Sequence, residues 1–256
     1  MELGREPIID YEVTTLAIVA LAFFLGGLAK GTFGFGMPFM AVPVLVSVFP
    51  LQVAIAMMVV PTITANLQLA WSGGRITLHL KRFMGLLIPM LLIIPLAVQI
   101  LIRIEQKVGL FIVGIITIIF VLSQSLPLKL VILPERERWL SPVVGVSAGL
   151  VCGLSGFYGP VLIPYLLALR ISRDEFVAAL SLIYLCGSLA LNSTLAGVHV
   201  LTWEIFSVSL AGGILVAGMI LIGNKVRAAI EEERYRKLVL GLLLLIGCDL
   251  IRRALI

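Results

Sequence analysis

The sequence predicts an all-α integral membrane protein with a two-fold internal repeat. Each half reads as a glycine-broken, re-entrant helical hairpin followed by three transmembrane helices, and the two halves are expected to be inverted. Three observations carry this. Of 256 residues, 61% are hydrophobic and 13% charged, and the mean hydropathy is +1.16. A soluble domain has about 25% charged residues, and no water-soluble core of this length hides so much apolar surface. The apolar runs are also continuous, as spanning helices of about 17–25 residues require, rather than the short alternating segments of a membrane barrel. Finally, two similar interruptions, "KGTFGFGMP" after Ala29 and "CGLSGFYGP" after Val151, stand near the heads of the two halves.

The opening "MELGREPIID" lacks the basic start of a cleaved signal peptide, so the N-terminus is expected to be mature. The first interrupted region runs over 13–29, then the break, then 39–48. Full spans are expected near 51–71, 83–101 and 108–123. The hydrophilic "PLKLVILPERERW", residues 127–139, connects the halves. The second interrupted region covers 142–151, its break and 161–169, and spans follow near 176–195, 205–222 and 238–250. The organisation is therefore a first repeat over 12–124, a connecting loop over 125–139 and a second repeat over 140–253.

The repeat rests on a register. With residue n laid over n+122, Gly27, Leu28, Gly31, Gly34, Phe35 and Pro38 fall on Gly149, Leu150, Gly153, Gly156, Phe157 and Pro160, and Ala56 falls on Ala178. Interrupted hydrophobic segments in corresponding places of two halves mark inverted-repeat transporters. The distribution of basic residues favours re-entrant breaks. If both breaks enter and leave on one side, that side holds thirteen basic residues in its loops and the other five; if both span, the split is nine against nine. Cytoplasmic loops collect Lys and Arg, so the biased arrangement is the expected one. It gives each half an odd number of spans, hence inversion, in a multi-pass protein of the cell (inner) membrane.

Irregular backbone at membrane depth is tolerated only where protein or a water-filled cavity covers it. Glycine allows the chain to turn there and approach a ligand closely. Pro38 and Pro160 suit the first turn of a following helix, whose free N–H groups and positive dipole end attract anions. Lys30 adds a charge beside the first break. Thirteen of the fourteen acidic residues lie in tails, loops or helix ends, and the other, Asp249, sits near Arg252 and Arg253, so Lys30 has no evident carboxylate partner. An unpaired charge in the bilayer is costly, and a bound anion would balance it. The repeat puts Cys152 at the equivalent point.

Polar residues in the next span of each half complete the expected site. Asn66 follows Thr62 by four, and Asn192 follows Ser188 by four, so each pair shares a helix face. Helix-to-helix packing is the competing role for such residues. The expected substrate-binding set is Lys30, Gly31, Gly34, Gly36, Thr62, Asn66, Cys152, Gly153, Ser155, Gly156, Tyr158, Gly159 and Asn192. The expected partners are a small anion and the lipid bilayer, with no nucleic acid; a homo-oligomer is left open.

Nothing points to an enzyme. His79 and His199 adjoin loops without a Cys or carboxylate at metal-ligand spacing, and Ser155–Gly156 is no nucleophile elbow. The "GFG" has no preceding strand, so it is no dinucleotide fingerprint. No cofactor and no metal are expected.

The segments "GGLAKGTFGFGMPFMAVPVL" and "GLVCGLSGFYGPVLIPYLLAL", each followed by an alanine-containing span, resemble the TauE/SafE family of sulfite-exporter-like permeases over nearly the whole chain. The resemblance implies export of sulfite, sulfoacetate or a related sulfur-containing or organic anion. Met37 and Tyr158 stand where the family is usually glycine-rich, which would suit a different anion or an organosulfonate. Export needs little machinery, since a membrane potential drives each negative charge outward with about 2.3 kcal/mol per 100 mV. The expectation is an alternating-access carrier; the alternatives are an anion channel and a proton-coupled importer of an organic acid.

Overall fold

The structure is a computed structural model and describes residues 12–33, 36–72, 76–125, 131–229 and 232–256. Gly34 and Phe35 of the first break, and Arg5, Arg75 and Lys129 among the loop and tail basic residues counted for topology, lie outside these segments. Among the described residues the chain is helical and has no strand.

The first half comprises α1 (Val13–Phe33), α2 (Met37–Leu45), α3 (Leu51–Ala56), α4 (Val59–Ser72), α5 (Ile76–Leu101) and α6 (Gln106–Ser125). The second comprises α7 (Pro134–Ser155), α8 (Gly159–Ala168), α9 (Arg173–Gly197), α10 (Trp203–Ala229) and α11 (Glu232–Leu255). Among the described residues, six helical segments are long and apolar enough to cross a membrane: Val13–Thr32, His79–Leu101, Gln106–Ser125, Glu135–Ser155, Glu175–Gly197 and Trp203–Gly223. The outward faces agree. Leu92, Leu96, Ile214 and Leu245 are 61–73% exposed, a display that suits lipid and would be a liability in water. Trp139 and Trp203 project near the starts of α7 and α10, as residues of an interfacial aromatic belt do. The protein is a multi-pass membrane protein.

Two lengths differ from the sequence reading. The first arm of each interrupted region is a long helix: α1 has 21 residues and α7 has 22. At 1.5 Å per residue each is about 30 Å long, the thickness of a hydrocarbon core. The second arms, α2 and α8, have only 9 and 10 residues. Helix α7 begins at Pro134, inside the segment read as connecting loop. Proline in its first turn, with Glu135 and Glu137 beside it, suits a helix start.

The expected single span over 51–71 is corrected to two helices, α3 and α4, with a turn at Met57 and Met58. Pro61 is the cause. It has no N–H to give the Met57 carbonyl, and its ring crowds that carbonyl. The ladder resumes at Thr62, whose N–H donates to the Met58 carbonyl at 3.0 Å. Ser209 of α10 tends the break by accepting from Val60 N–H at 3.0 Å.

Glycines set the helix crossings. A Cβ on Gly31 would collide with the Ile220 carbonyl oxygen of α10, and one on Gly27 would lie 2.7 Å from Met219 Cβ. Facing them, a Cβ on Gly223 would be 2.9 Å from Gly31 Cα. On α7, Gly145, Gly149 and Gly153 recur every four residues against Leu86, Met90 and Ile94 of α5. Small residues at this spacing let membrane helices approach backbone to backbone. Gly114 of α6 and Gly247 of α11 make a third such crossing. Thus α1 packs on α10, α7 on α5, α6 on α11, and α4 on α9. Arg82 of α5 holds Glu137 of α7 through Nε and Nη2, each at 3.0 Å.

Candidate functional site

Each break holds a glycine of positive φ and a proline in the first turn of the next helix, with Gly36 capping the start of α2 and Gly156 the end of α7. After α1, Gly36 takes φ 91°, and α2 begins with Pro38 in its first turn. After α7, Gly156 takes φ 73° and donates its N–H to the Cys152 carbonyl at 2.7 Å; α8 then begins with Pro160 in its first turn. This left-handed backbone strains any residue with a side chain, which accounts for both glycines. Ser155 completes the second turn. Its hydroxyl donates to the Val151 carbonyl at 2.6 Å and accepts from Phe157 N–H at 3.2 Å.

The second break reaches across to the first half. The Phe157 ring lies 4.1 Å, centroid to centroid, from Phe39 of α2, and Phe39 stacks on Phe120 of α6 at 4.4 Å. A Cβ on Gly156 would touch Ile55 of α3 at 3.2 Å, and one on Gly159 would touch Phe39 at 3.3 Å. Between the breaks lies a cavity bordered by Pro38 of α2, Thr62 of α4, Gly156 and Tyr158 of the second break, and Ser188 and Asn192 of α9. The rest of its wall is apolar. The centre of a water-sized sphere has about 10 Å³ to move in, room for about one water molecule.

Its polar groups are mostly committed. Thr62 donates Oγ1–H to the Met58 carbonyl at 2.6 Å, and Ser188 donates Oγ–H to the Leu185 carbonyl at 2.9 Å. Asn192 donates Nδ2–H to the Ser188 carbonyl at 2.7 Å. Two buried atoms are left over: Asn192 Oδ1 and Tyr158 Oη have no hydrogen-bond partner of ordinary geometry. The Cys152 thiol lies beside the Tyr158 hydroxyl, and the Tyr158 ring packs on Tyr184 at 4.9 Å.

Lys30 is 6% exposed and donates from Nζ to Asn66 Oδ1 at 2.9 Å. Asn66 in turn donates Nδ2–H to the carbonyl of Thr62, one turn back, at 2.8 Å. A neutral amide thus holds the buried ammonium. Among the described residues no carboxylate pairs with it. Asp249, the acidic residue nearest a span interior in the sequence, is bound to Arg252 and Arg253 at the exposed end of α11.

The structure sorts the sequence-predicted residues into groups. Thr62, Gly156, Tyr158 and Asn192 border the cavity. Lys30 and Asn66 form a pair linked to it through Thr62. Cys152 sits beside the Tyr158 hydroxyl, and Gly159 faces Phe39, Ile163 and Tyr184. Ser155 is used by its own turn, and Gly36 makes the first turn, where a Cβ would meet nothing within 4 Å. Gly31 and Gly153 face α10 and α5 instead, as packing glycines. Gly34 lies outside the described residues. Sequence reasoning missed the contribution of the α3–α4 break, though Pro61 was its visible signal. Among the described residues, no group of three or more His, Cys, Asp or Glu could hold a metal ion.

No curated protein and no solved structure matches the chain. A family model described as sulfite exporter TauE/SafE matches residues 19–250, nearly the whole length, in keeping with a helical membrane protein. The family is one of membrane transporters rather than enzymes, and the chain belongs to it.

Proposed function

We propose that this protein is a carrier in the cell (inner) membrane for a small anion, a sulfur oxyanion or organosulfonate such as sulfite or sulfoacetate, moved outward by alternating access. The observation that carries this reading is the convergence of both breaks and the polar faces of α4 and α9 on one cavity. The first turn of α2 borders it directly and that of α8 adjoins it. Pro38 and Pro160 have no N–H, and Met40, Val161 and Leu162 donate to the Gly36 and Tyr158 carbonyls; the N–H groups of Met37, Phe39 and Gly159 have no carbonyl within their helices to bond, and the helix dipoles favour an anion. Lys30 supplies positive charge beside Asn66, which lies one helical turn from Thr62.

The cavity is too small for a sulfite-sized anion as it stands, so the walls must part to load one. That supports a carrier with a closed state over a channel, which would want a continuous polar path. Two inverted repeats are the mechanical reading. In the n+122 register α1 answers to α7, α2 to α8, and α4 to the body of α9, and the packing follows suit: α1 on α10 against α7 on α5, α4 on α9, α6 on α11. Each half then contributes one break, and rocking one half on the other would open the cavity to either side.

The test is flux in proteoliposomes loaded with sulfite, sulfate, sulfoacetate or acetate, with the voltage clamped. Saturable efflux of one sulfur anion, accelerated by a potential negative inside and abolished in Lys30→Ala, supports the proposal. Flux that needs a proton gradient at clamped voltage would replace uncoupled export with proton coupling. Flux unaltered in Lys30→Ala would remove the lysine from the site.

A further inference from the structure

The cavity has two chemically opposite walls. Around the breaks lie donors: the Tyr158 hydroxyl on the cavity's border and, in the adjoining first turns of α2 and α8, the N–H groups of Met37, Phe39 and Gly159. Along α4 and α9 the hydroxyl hydrogens of Thr62 and Ser188 and the amide hydrogens of Asn192 that face its helix are turned onto backbone carbonyls. What these residues offer inward is lone pairs, and Asn192 Oδ1 is buried with no partner. Its orientation is fixed. Turning the amide over would set Oδ1 against the Ser188 carbonyl, oxygen to oxygen, so the nitrogen must face Ser188.

Asn66 shows what such an atom is for. Both asparagines donate to the carbonyl four residues back, at 2.8 Å for Asn66 and 2.7 Å for Asn192. Both then present Oδ1 away from their helix. Asn66 Oδ1 receives the Lys30 ammonium; Asn192 Oδ1 receives nothing. A buried acceptor left unpaired is unfavourable, and a ligand that cannot supply a hydrogen leaves it so.

We infer that the ligand of this cavity is an anion that carries its own hydrogen-bond donor, with Asn192 Oδ1 as the residue that selects it. This rests on the anion-carrier reading and sharpens it. A hydrogen-bearing monoanion of sulfite, or a sulfonate with an N–H or O–H group, fits both walls. A fully deprotonated oxyanion or a plain alkyl sulfonate fits only the donor wall.

Sulfamate and methanesulfonate make the test, because they match in shape and charge and differ in carrying N–H or C–H. Binding of each to the full-length protein in detergent is measured by calorimetry, for the parent, Asn192→Leu and Asn192→Ala. The expected result is that the parent prefers sulfamate by about tenfold or more and that both variants lose the preference. Equal affinities in the parent overturn the donor requirement and leave the carrier reading standing. A preference that survives in either folded variant removes Asn192 as its source. Binding of neither anion fails the sulfur-oxyanion reading itself, and this inference with it.

Discussion

Replacing Asn66 by aspartate probes the counter-charge of Lys30 with almost no change of shape. The Nζ–Oδ1 distance is 2.9 Å. Put a carboxylate there, and at an effective dielectric constant near 20 the attraction between unit charges about 3–4 Å apart is about 4–6 kcal/mol. Desolvation and relaxation consume much of it. If a third survives, a substrate anion competing for the same ammonium loses about 1.5–2 kcal/mol, or about ten- to thirtyfold in affinity. The ion pair itself roughly breaks even, but the second carboxylate oxygen replaces the amide nitrogen that donates to the Thr62 carbonyl at 2.8 Å, and losing that bond costs about 1–3 kcal/mol. Asn66→Asp should therefore stay folded with a lower thermal midpoint by intrinsic fluorescence, yet bind sulfite at least tenfold more weakly and carry little flux in liposomes. Lys30→Met should also be folded and inactive. A folded Asn66→Asp that binds and transports like the parent would refute the reasoning, since the ammonium would then be no part of the anion's environment.

Three other outcomes follow from the packing. Gly145→Leu drives a side chain into the Leu86 backbone oxygen, which cannot yield, so α5 and α7 must separate; a loss of at least about 3 kcal/mol should appear as a large fall in thermal midpoint or loss of folded protein in detergent. Ser209→Ala leaves Val60 N–H without its acceptor and should cost about 1–3 kcal/mol, read as a lower midpoint, with Ser209→Thr retaining most of it. Glu137→Gln breaks a pair whose Arg82 side chain is 38% exposed; the loss should be at most about 1 kcal/mol and should shrink in high salt, as thermal scans at two ionic strengths would reveal.

The two breaks were readable because glycine and proline act locally. The positive φ at Gly36 and Gly156 and the helix starts at Pro38 and Pro160 depend on a few neighbouring residues. The roles of Gly31 and Gly153 were not readable in the same way. Glycine serves close ligand approach and close helix approach equally well, and only the positions of α10 and α5 decide between them. Lys30 and Asn66 were both candidates, but their pairing spans 36 residues and depends on how α1 meets α4. The division of α3 from α4 escaped because hydropathy counts side chains and is blind to a missing backbone N–H. Its support, Ser209, comes from a helix 149 residues on. That Asn192 Oδ1 is unpaired is a statement about every neighbour at once, which no pattern along the chain contains.

The aromatic contacts of Phe39 carry a consequence for speed. This one ring, on the short helix after the first break, touches Phe157 of the second break and Phe120 of α6. Any motion that draws α2 away from the second break must peel it from both partners in the same event. Two such contacts together are worth about 1–3 kcal/mol beyond their buried area, and as a barrier that slows opening by about five- to 150-fold. If the protein works as the proposed carrier, the trio would act as a latch that sets how often the cavity opens without lining it, so turnover and selectivity could be tuned at separate residues.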